Sequence, residues 1–342
     1  MPGSDDAQDV LRAAEQEHEL AREVLTDGGR VSPAASGPVH IPARTDDELE
    51  ALESKLVWIF GSPRSGSSWM LRLLTGQPDI APVNESYVGA HLVPVGGEVE
   101  AGEYYEHGER AEDPSYFFAR DYMPVLRPLL HELVLRGFDN QLRHMGFDPV
   151  PRWVVIKEPN GSHAADTIVS LLPRSRVLFL LRDGRDVVDS LIDAMLGSQS
   201  WWAERTRQLG RPPQERLAFV AQHSELWVRR TMASQRAFES LPDGQRLLVR
   251  YEDILSDTPT QLRRIVDWLG LELNDKSLAT IVERNAFDSA PKDRRGPGKP
   301  MRAATPGLWR ENLTEDERRT MHEIMGAKLA ELGYEVQPVT SG

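Results

Sequence analysis

The chain has 342 residues, a hydrophobic content of 40% and a formal net charge of −13. That is ample apolar material for a large buried core, and too acidic a balance for a general nucleic-acid or anionic-membrane binder. Zero cysteines exclude disulfides, thiolate metal sites and a cysteine nucleophile.

Residues 1–50 differ from the rest. The stretch from Asp5 to Leu25 has the pattern of a charged amphipathic helix, and 28–42 is a linker rich in Gly, Pro, Ser and Ala. The expected organisation is an acidic N-terminal extension over 1–50, either a flexible arm or an element exchanged in a homodimer, followed by one folded domain over 51–342. The N-terminus lacks the apolar stretch of a signal peptide, and no apolar run reaches the roughly 18 residues of a membrane span. A soluble, cytoplasmic protein without stable membrane insertion is therefore expected. From Leu56 onward strand-like and helix-like segments alternate, which predicts an α/β fold with a central parallel sheet flanked by helices. The pattern predicts strands over 56–60, 153–156, 177–181 and 246–249. It predicts helices over 68–74, 116–135, 185–195, 213–240, 259–269 and 315–332. Asp113-Pro114 and Asp257-Thr-Pro259 read as helix starts with Asp as the cap. Residues 96–108 and 292–306 are loop-like, and the second holds Lys292, Arg294, Arg295, Lys299 and Arg302 among Gly and Pro.

The most informative stretch is 56–74, Leu-Val-Trp-Ile-Phe-Gly-Ser-Pro-Arg-Ser-Gly-Ser-Ser-Trp-Met-Leu-Arg-Leu-Leu. A short apolar strand feeds a Gly/Ser loop, and Trp69, Met70, Leu73 and Leu74 follow at helical spacing. Such a unit aims backbone N–H groups and the positive end of a helix dipole at one point, a ready phosphate site. Gly61 and Gly66 have the spacing of the ATP-binding Walker loop, but Ser67 stands where its lysine belongs. The cation, Arg64, sits inside the loop instead. A second strand-to-loop unit spans 177–190. Arg182 falls at the strand end, where ligand-facing groups emerge in an open α/β sheet, and Ser190 lies about two helical turns further on. Either the pair clamps a second phosphate, or Arg182, Asp183, Arg185 and Asp186 form a surface ion-pair cluster.

Taken together, these motifs resemble the sulfotransferases that use 3′-phosphoadenosine-5′-phosphosulfate (PAPS). Residues 63–69, Pro-Arg-Ser-Gly-Ser-Ser-Trp, are similar to that family's 5′-phosphosulfate loop, and the Arg182–Ser190 spacing is similar to its 3′-phosphate motif. Tyr251-Glu252-Asp253 resembles the family's segment after a strand, and Asn285-Ala286-Phe287 its adenine-contacting turn. Residues 302–314 keep the spacing of its closing loop, with Ala303 and Ala304 in place of Lys-Gly. The resemblance implies a P-loop-like sulfotransferase fold, PAPS as donor, PAP as product and no metal. It places Ser65, Gly66, Ser67 and Ser68 around the 5′-phosphate and Arg64 against the sulfonate. It places Trp69, Phe287 and Tyr251 at the adenine, and Arg182, Ser190 and Arg302 at the 3′-phosphate.

Sulfonyl transfer needs in-line placement, a base for the acceptor and cations where charge collects. Lys157, ending the strand Trp-Val-Val-Ile-Lys, is implied as the second cation. The small-molecule branch carries a histidine two residues after this lysine, and here Glu158-Pro159-Asn160 follows instead. The protein-tyrosine and carbohydrate branches use a glutamate downstream of the phosphosulfate loop, which matches Glu85. His163, His91 and Glu158 are the alternative bases. Competing readings are an ATP-dependent phosphotransferase and a catalytically silent nucleotide-binding protein. Loops 86–115 and 196–212, with Tyr87, His91, Tyr104, Tyr105, Trp201 and Trp202, are expected to face a small-molecule or glycosylated acceptor.

Overall fold

Strand β1 (Leu56–Phe60) is wholly buried, and its side chains alternate between two separate apolar clusters. Leu56, Trp58 and Phe60 enter one, Val57 and Ile59 the other, as the period of two in a strand requires. That burial on both faces marks a central strand of a parallel sheet. The structure is a computed structural model describing residues 44–92, 112–197 and 215–336, apart from 76, 78, 118 and 300. The expected helix over 5–25, the linker 28–42, the loop 96–108 and the aromatics Tyr104, Tyr105, Trp201 and Trp202 lie outside the described residues.

Five parallel strands form the sheet, β1 with β2 (Ile80–Asn84), β3 (Trp153–Lys157), β4 (Arg176–Leu181) and β5 (Arg246–Arg250), in the order β2-β3-β1-β4-β5. Helices α1 (Asp46–Glu53), α4 (Met123–His144), α5 (Ala165–Leu171), α6 (Gly184–Leu196), α7 (Arg216–Glu239) and α12 (Glu315–Glu331) contribute to the Trp58 side. Helices α2 (Ser67–Leu74), α8 (Tyr251–Ser256), α9 (Thr258–Trp268) and α10 (Asp275–Arg284) cover the Ile59 side. Short α3 (Val88–Leu92) and α11 (Trp309–Asn312) are the remaining α-helices among the described residues. From β1 the chain runs to the edge strand β2, returns to β3 between β2 and β1, then crosses to β4 and β5 on the other side of β1. The C-terminal end of β1 is thus a topological switch point, where open α/β sheets bind ligands.

Local chemistry explains most boundaries. Asp257 caps α9 through Thr260 N–H at 3.1 Å, Asn274 caps α10 through Ser277 N–H at 2.8 Å, and Thr314 and Glu317 form a capping box on α12. Three expectations need correction. Strand β2 was not among the predicted strands, because Pro82 interrupts its apolar pattern; Pro is tolerated there because β2 pairs on one side only, with β3. The helix expected over 116–135 runs from Met123 to His144, with Pro124 in its first turn. Asp113 instead closes a turn, accepting from Ser115 N–H at 2.8 Å. Helix α1 crosses the expected boundary at residue 50 and buries Leu49 and Leu52 in the core.

The start of α6 is fitted tightly against α7. A Cβ on Gly184 would lie 2.5 Å from the Trp227 ring and 2.9 Å from Met325 Sδ, and Trp227 Nε1 donates to Arg182 O at 3.3 Å. Gly184→Ala improves helix propensity yet overpacks this contact, so it should destabilise the fold by about 1–3 kcal/mol. A urea unfolding midpoint shifted downward is the expected result.

Candidate active site

All the elements of the site meet at the C-terminal edge of the sheet. Gly61 follows β1, Glu85 follows β2, Lys157 ends β3, Arg182 follows β4 and Tyr251 follows β5. The loop after β1 turns through left-handed backbone at Arg64 (φ 67°) and Gly66 (φ 89°) before α2 begins. Gly66 also permits a close approach, since a Cβ there would sit 2.6 Å from the Tyr251 ring. No side chain caps the N-terminus of α2, so its first N–H groups and its dipole face the loop's concave side. Ser65 Oγ is buried there without a hydrogen-bond partner.

Three arginines converge on this cradle. Arg64 Nε donates to Ser190 Oγ at 3.0 Å, and Arg182 donates to Arg64 O at 2.6 Å. The Arg182 guanidinium lies 4.4 Å from the centre of the Tyr251 ring, and its Nε is buried without a partner. Burial, with the repulsion of Arg182 and Arg302, lowers the Arg64 pKa to about 10, although Asp193 opposes the shift. Burial likewise raises the Tyr251 phenol. A buried site that suppresses the charge on an arginine favours an incoming anion. Arg302 is held to Asp189, whose carboxylate also accepts from Asn312 Nδ2 at 3.0 Å.

On the other side of the loop, Lys157 bridges two groups. Its Nζ lies 2.6 Å from Glu85 Oε1 and donates to Ser68 Oγ at 3.1 Å. Asn160 Nδ2 donates to Glu85 Oε2 at 2.9 Å. The structure therefore brings Glu85, Lys157 and Ser68 into one chain of contacts. His163 is engaged through Nδ1 with Asn160 O at 3.0 Å, and Glu158 is buried, 0% exposed. Trp69 and Tyr251 meet edge to face at 6.1 Å, and Trp69 Nε1 donates to Asn285 O at 2.9 Å. This ties the Asn285 turn to α2, and Phe287 follows in that turn with Arg295 at 5.6 Å over its ring.

A Gly/Ser loop at the switch point of a parallel sheet, with arginines from two strand ends and an aromatic cluster beside it, is an arrangement suited to an anion. A profile of the sulfotransferase family matches residues 57–275, and the chain belongs to that family. Over 288 residues it is 21% identical to a protein-tyrosine sulfotransferase of Drosophila melanogaster, covering 83% of this chain and 52% of that protein. The chain thus spans about half the length of the curated relative it matches. Among solved structures, a mouse sulfotransferase complexed with PAP is 14% identical, with 83% of this chain and 88% of that one covered and a TM-score of 0.48. A sulfotransferase from Mycobacterium avium is 15% identical, with 85% and 80% covered and a TM-score of 0.46.

Sequence reasoning overlooked the partners that fix these side chains. Asn160 on Glu85 and Ser162 on the Gly61 N–H, at 3.0 Å, belong to no motif. The spacing of Asp186, Asp189 and Asp193, which share one face of a helix, was a usable signal. They hold the closing segment through Gly307 N–H at 2.7 Å, Arg302, and Gly298 N–H at 2.8 Å. Removing one member of a buried ion pair strands the other. Arg302→Ala should therefore cost about 3 kcal/mol, and Asp189→Asn in that background should recover part of it; a double-mutant cycle by urea unfolding reads the coupling.

Proposed function

We propose that the protein moves the sulfonate group of PAPS to an acceptor hydroxyl on a small molecule, a glycosylated compound or a lipid metabolite, leaving PAP and a sulfate ester. The observation that carries this reading is the convergence of Arg64, Arg182 and Arg302 around Ser190 and the uncapped start of α2. Ser65 Oγ and Arg182 Nε are buried polar atoms without protein partners, and buried polar groups ordinarily have one. A ligand with two separated phosphates fits these groups. The loop residues Arg64, Ser65, Gly66, Ser67 and Ser68 would hold the 5′-phosphate end. Arg182, Ser190 and Arg302 would hold the 3′-phosphate, and Trp69, Tyr251 and Phe287 would border the adenine. PAPS supplies an S–O bond already activated by its phosphate leaving group.

The protein's own residues then have plain tasks. Glu85 accepts the proton of the acceptor hydroxyl. Protonation cancels its charge and loosens its hold on Lys157, whose Nζ already contacts Ser68 Oγ on the phosphate side. Lys157 and Arg64 thereby face the negative charge that develops as the bond to phosphate breaks, where fixed cations act most strongly. Asn160 keeps the second oxygen of Glu85 in place.

Calorimetric titration with PAP, against ATP plus magnesium, tests the donor. PAP binding that disappears in Arg182→Ala, with weak ATP binding, is the expected outcome; tight ATP binding without a response to PAP would overturn the reading. Glu85→Gln should leave PAP affinity intact and lower turnover by about 10²-fold or more, and near-normal turnover would remove Glu85 from the base role.

A further inference from the structure

Glu158 follows Lys157 directly, and it is 0% exposed. Ser86 Oγ donates to its Oε2 at 2.5 Å, and the backbone N–H groups of Tyr87 and Gly89 face the same carboxyl. Burial first, and the neighbouring Glu85 charge as well, push its pKa up to about 7, against the opposing effect of Ser86 and the two N–H groups. A buried ionisable group is costly where packing alone is needed. Here it adjoins a segment with strained backbone, because Glu85 (φ 53°) and Tyr87 (φ 54°) are both left-handed, a conformation unfavourable for residues with a Cβ.

The surroundings close over the same carboxyl. A Cβ on Gly161 would meet Glu158 Oε1 at 2.1 Å and Gly89 Cα at 2.9 Å, and a Cβ on Gly89 would meet Gly161 O at 2.2 Å. Glu158 O accepts from Ser162 Oγ at 2.8 Å, and Ser162 Oγ accepts from Gly61 N–H at 3.0 Å. One short stretch, 157–162, therefore touches the phosphate loop, the segment carrying Glu85, and Glu85 itself.

We propose that Glu158 is the positioning residue of the acceptor half of the site: its buried carboxyl group anchors Ser86, Tyr87 and Gly89 so that Glu85 stands against Lys157 and Asn160. This rests on the reading of Glu85 as the base. Glu158 acts through that segment and does not touch the reacting groups. Misplacement of a reacting group by about 1 Å costs on the order of 10²-fold in rate, so a modest shift of this segment suffices.

The test compares Glu158→Ala, Glu158→Gln, Ser86→Ala and Glu85→Gln in the full chain. Three quantities are read: PAP affinity, release of PAP from PAPS with 4-nitrophenol or water as acceptor, and amide hydrogen exchange. Glu158→Ala should lower turnover by about 10²-fold with PAP affinity within about twofold of the parent. Exchange should speed up over 85–92 and stay unchanged over 61–74. Glu158→Gln, which keeps a carbonyl acceptor in place, should recover at least about tenfold of that loss. Ser86→Ala, the milder change if Glu158→Ala does not fold, should speed exchange over the same residues. Unchanged exchange over 85–92 in Ser86→Ala and in a folded Glu158→Ala, or unchanged turnover in Glu158→Ala, overturns the proposal while leaving Glu85 as the base. Glu158→Gln as inactive as Glu85→Gln also overturns it, by making Glu158 the base. Normal turnover in Glu85→Gln removes the premise itself.

Discussion

The mutual repulsion of buried guanidinium groups is the constraint around which this site is arranged. Arg64 is disfavoured by burial and by its neighbours Arg182 and Arg302, so the fold must hold these cations by other means. It does so with backbone carbonyls, an aromatic face and carboxylates set behind them. Arg182 donates to Arg64 O and lies over Tyr251, and Arg302 is held by Asp189. Asp189 thus balances Arg302, and Asp193 offsets part of the repulsion that Arg64 feels.

Helix α6 links that arrangement to the rest of the molecule. Its N-terminus is capped by Asp183, which accepts from Arg185 N–H at 2.9 Å, and its first residues pack without space to spare against Trp227 of α7. The same helix presents Ser190 to Arg64 and a row of carboxylates to the closing segment. A small shift of α6 would therefore move the anion site and the segment over it together. The left-handed residues at Arg64, Glu85, Tyr87 and Ala304 all lie in the segments that border this centre, which is where strained backbone tends to be retained for function.

Much of this was legible in the sequence. The loop from Gly61 to Gly66 announced itself because a five-residue apolar strand, a Gly/Ser turn and a helix start follow one another without interruption. Arg182 and Tyr251 were readable as strand-end residues for the same reason. Strand β2 was not, since Pro82 breaks its pattern and only its edge position makes proline acceptable. Helix α4 was misplaced because Pro114 and Asp113 look like a helix start, whereas Phe138 and Leu142 carry the buried face well beyond the expected end. Side-chain partnerships were the least legible part. Arg302 with Asp189, and Glu158 with Ser86, join residues far apart in the chain, and no local pattern encodes such a meeting.

The row of acids behind the arginines also governs how an anion arrives. The whole chain carries a formal net charge of −13, and Asp186, Asp189 and Asp193 stand close to the arginines of the proposed anion site. At a distance the ligand is repelled; inside about one Debye length, roughly 10 Å at 0.1 M salt, the guanidinium groups and the helix N-terminus prevail. Salt screens the distant repulsion far more than the buried contacts. Encounter should thus quicken as ionic strength rises, the reverse of the steering that basic nucleotide-binding surfaces exert.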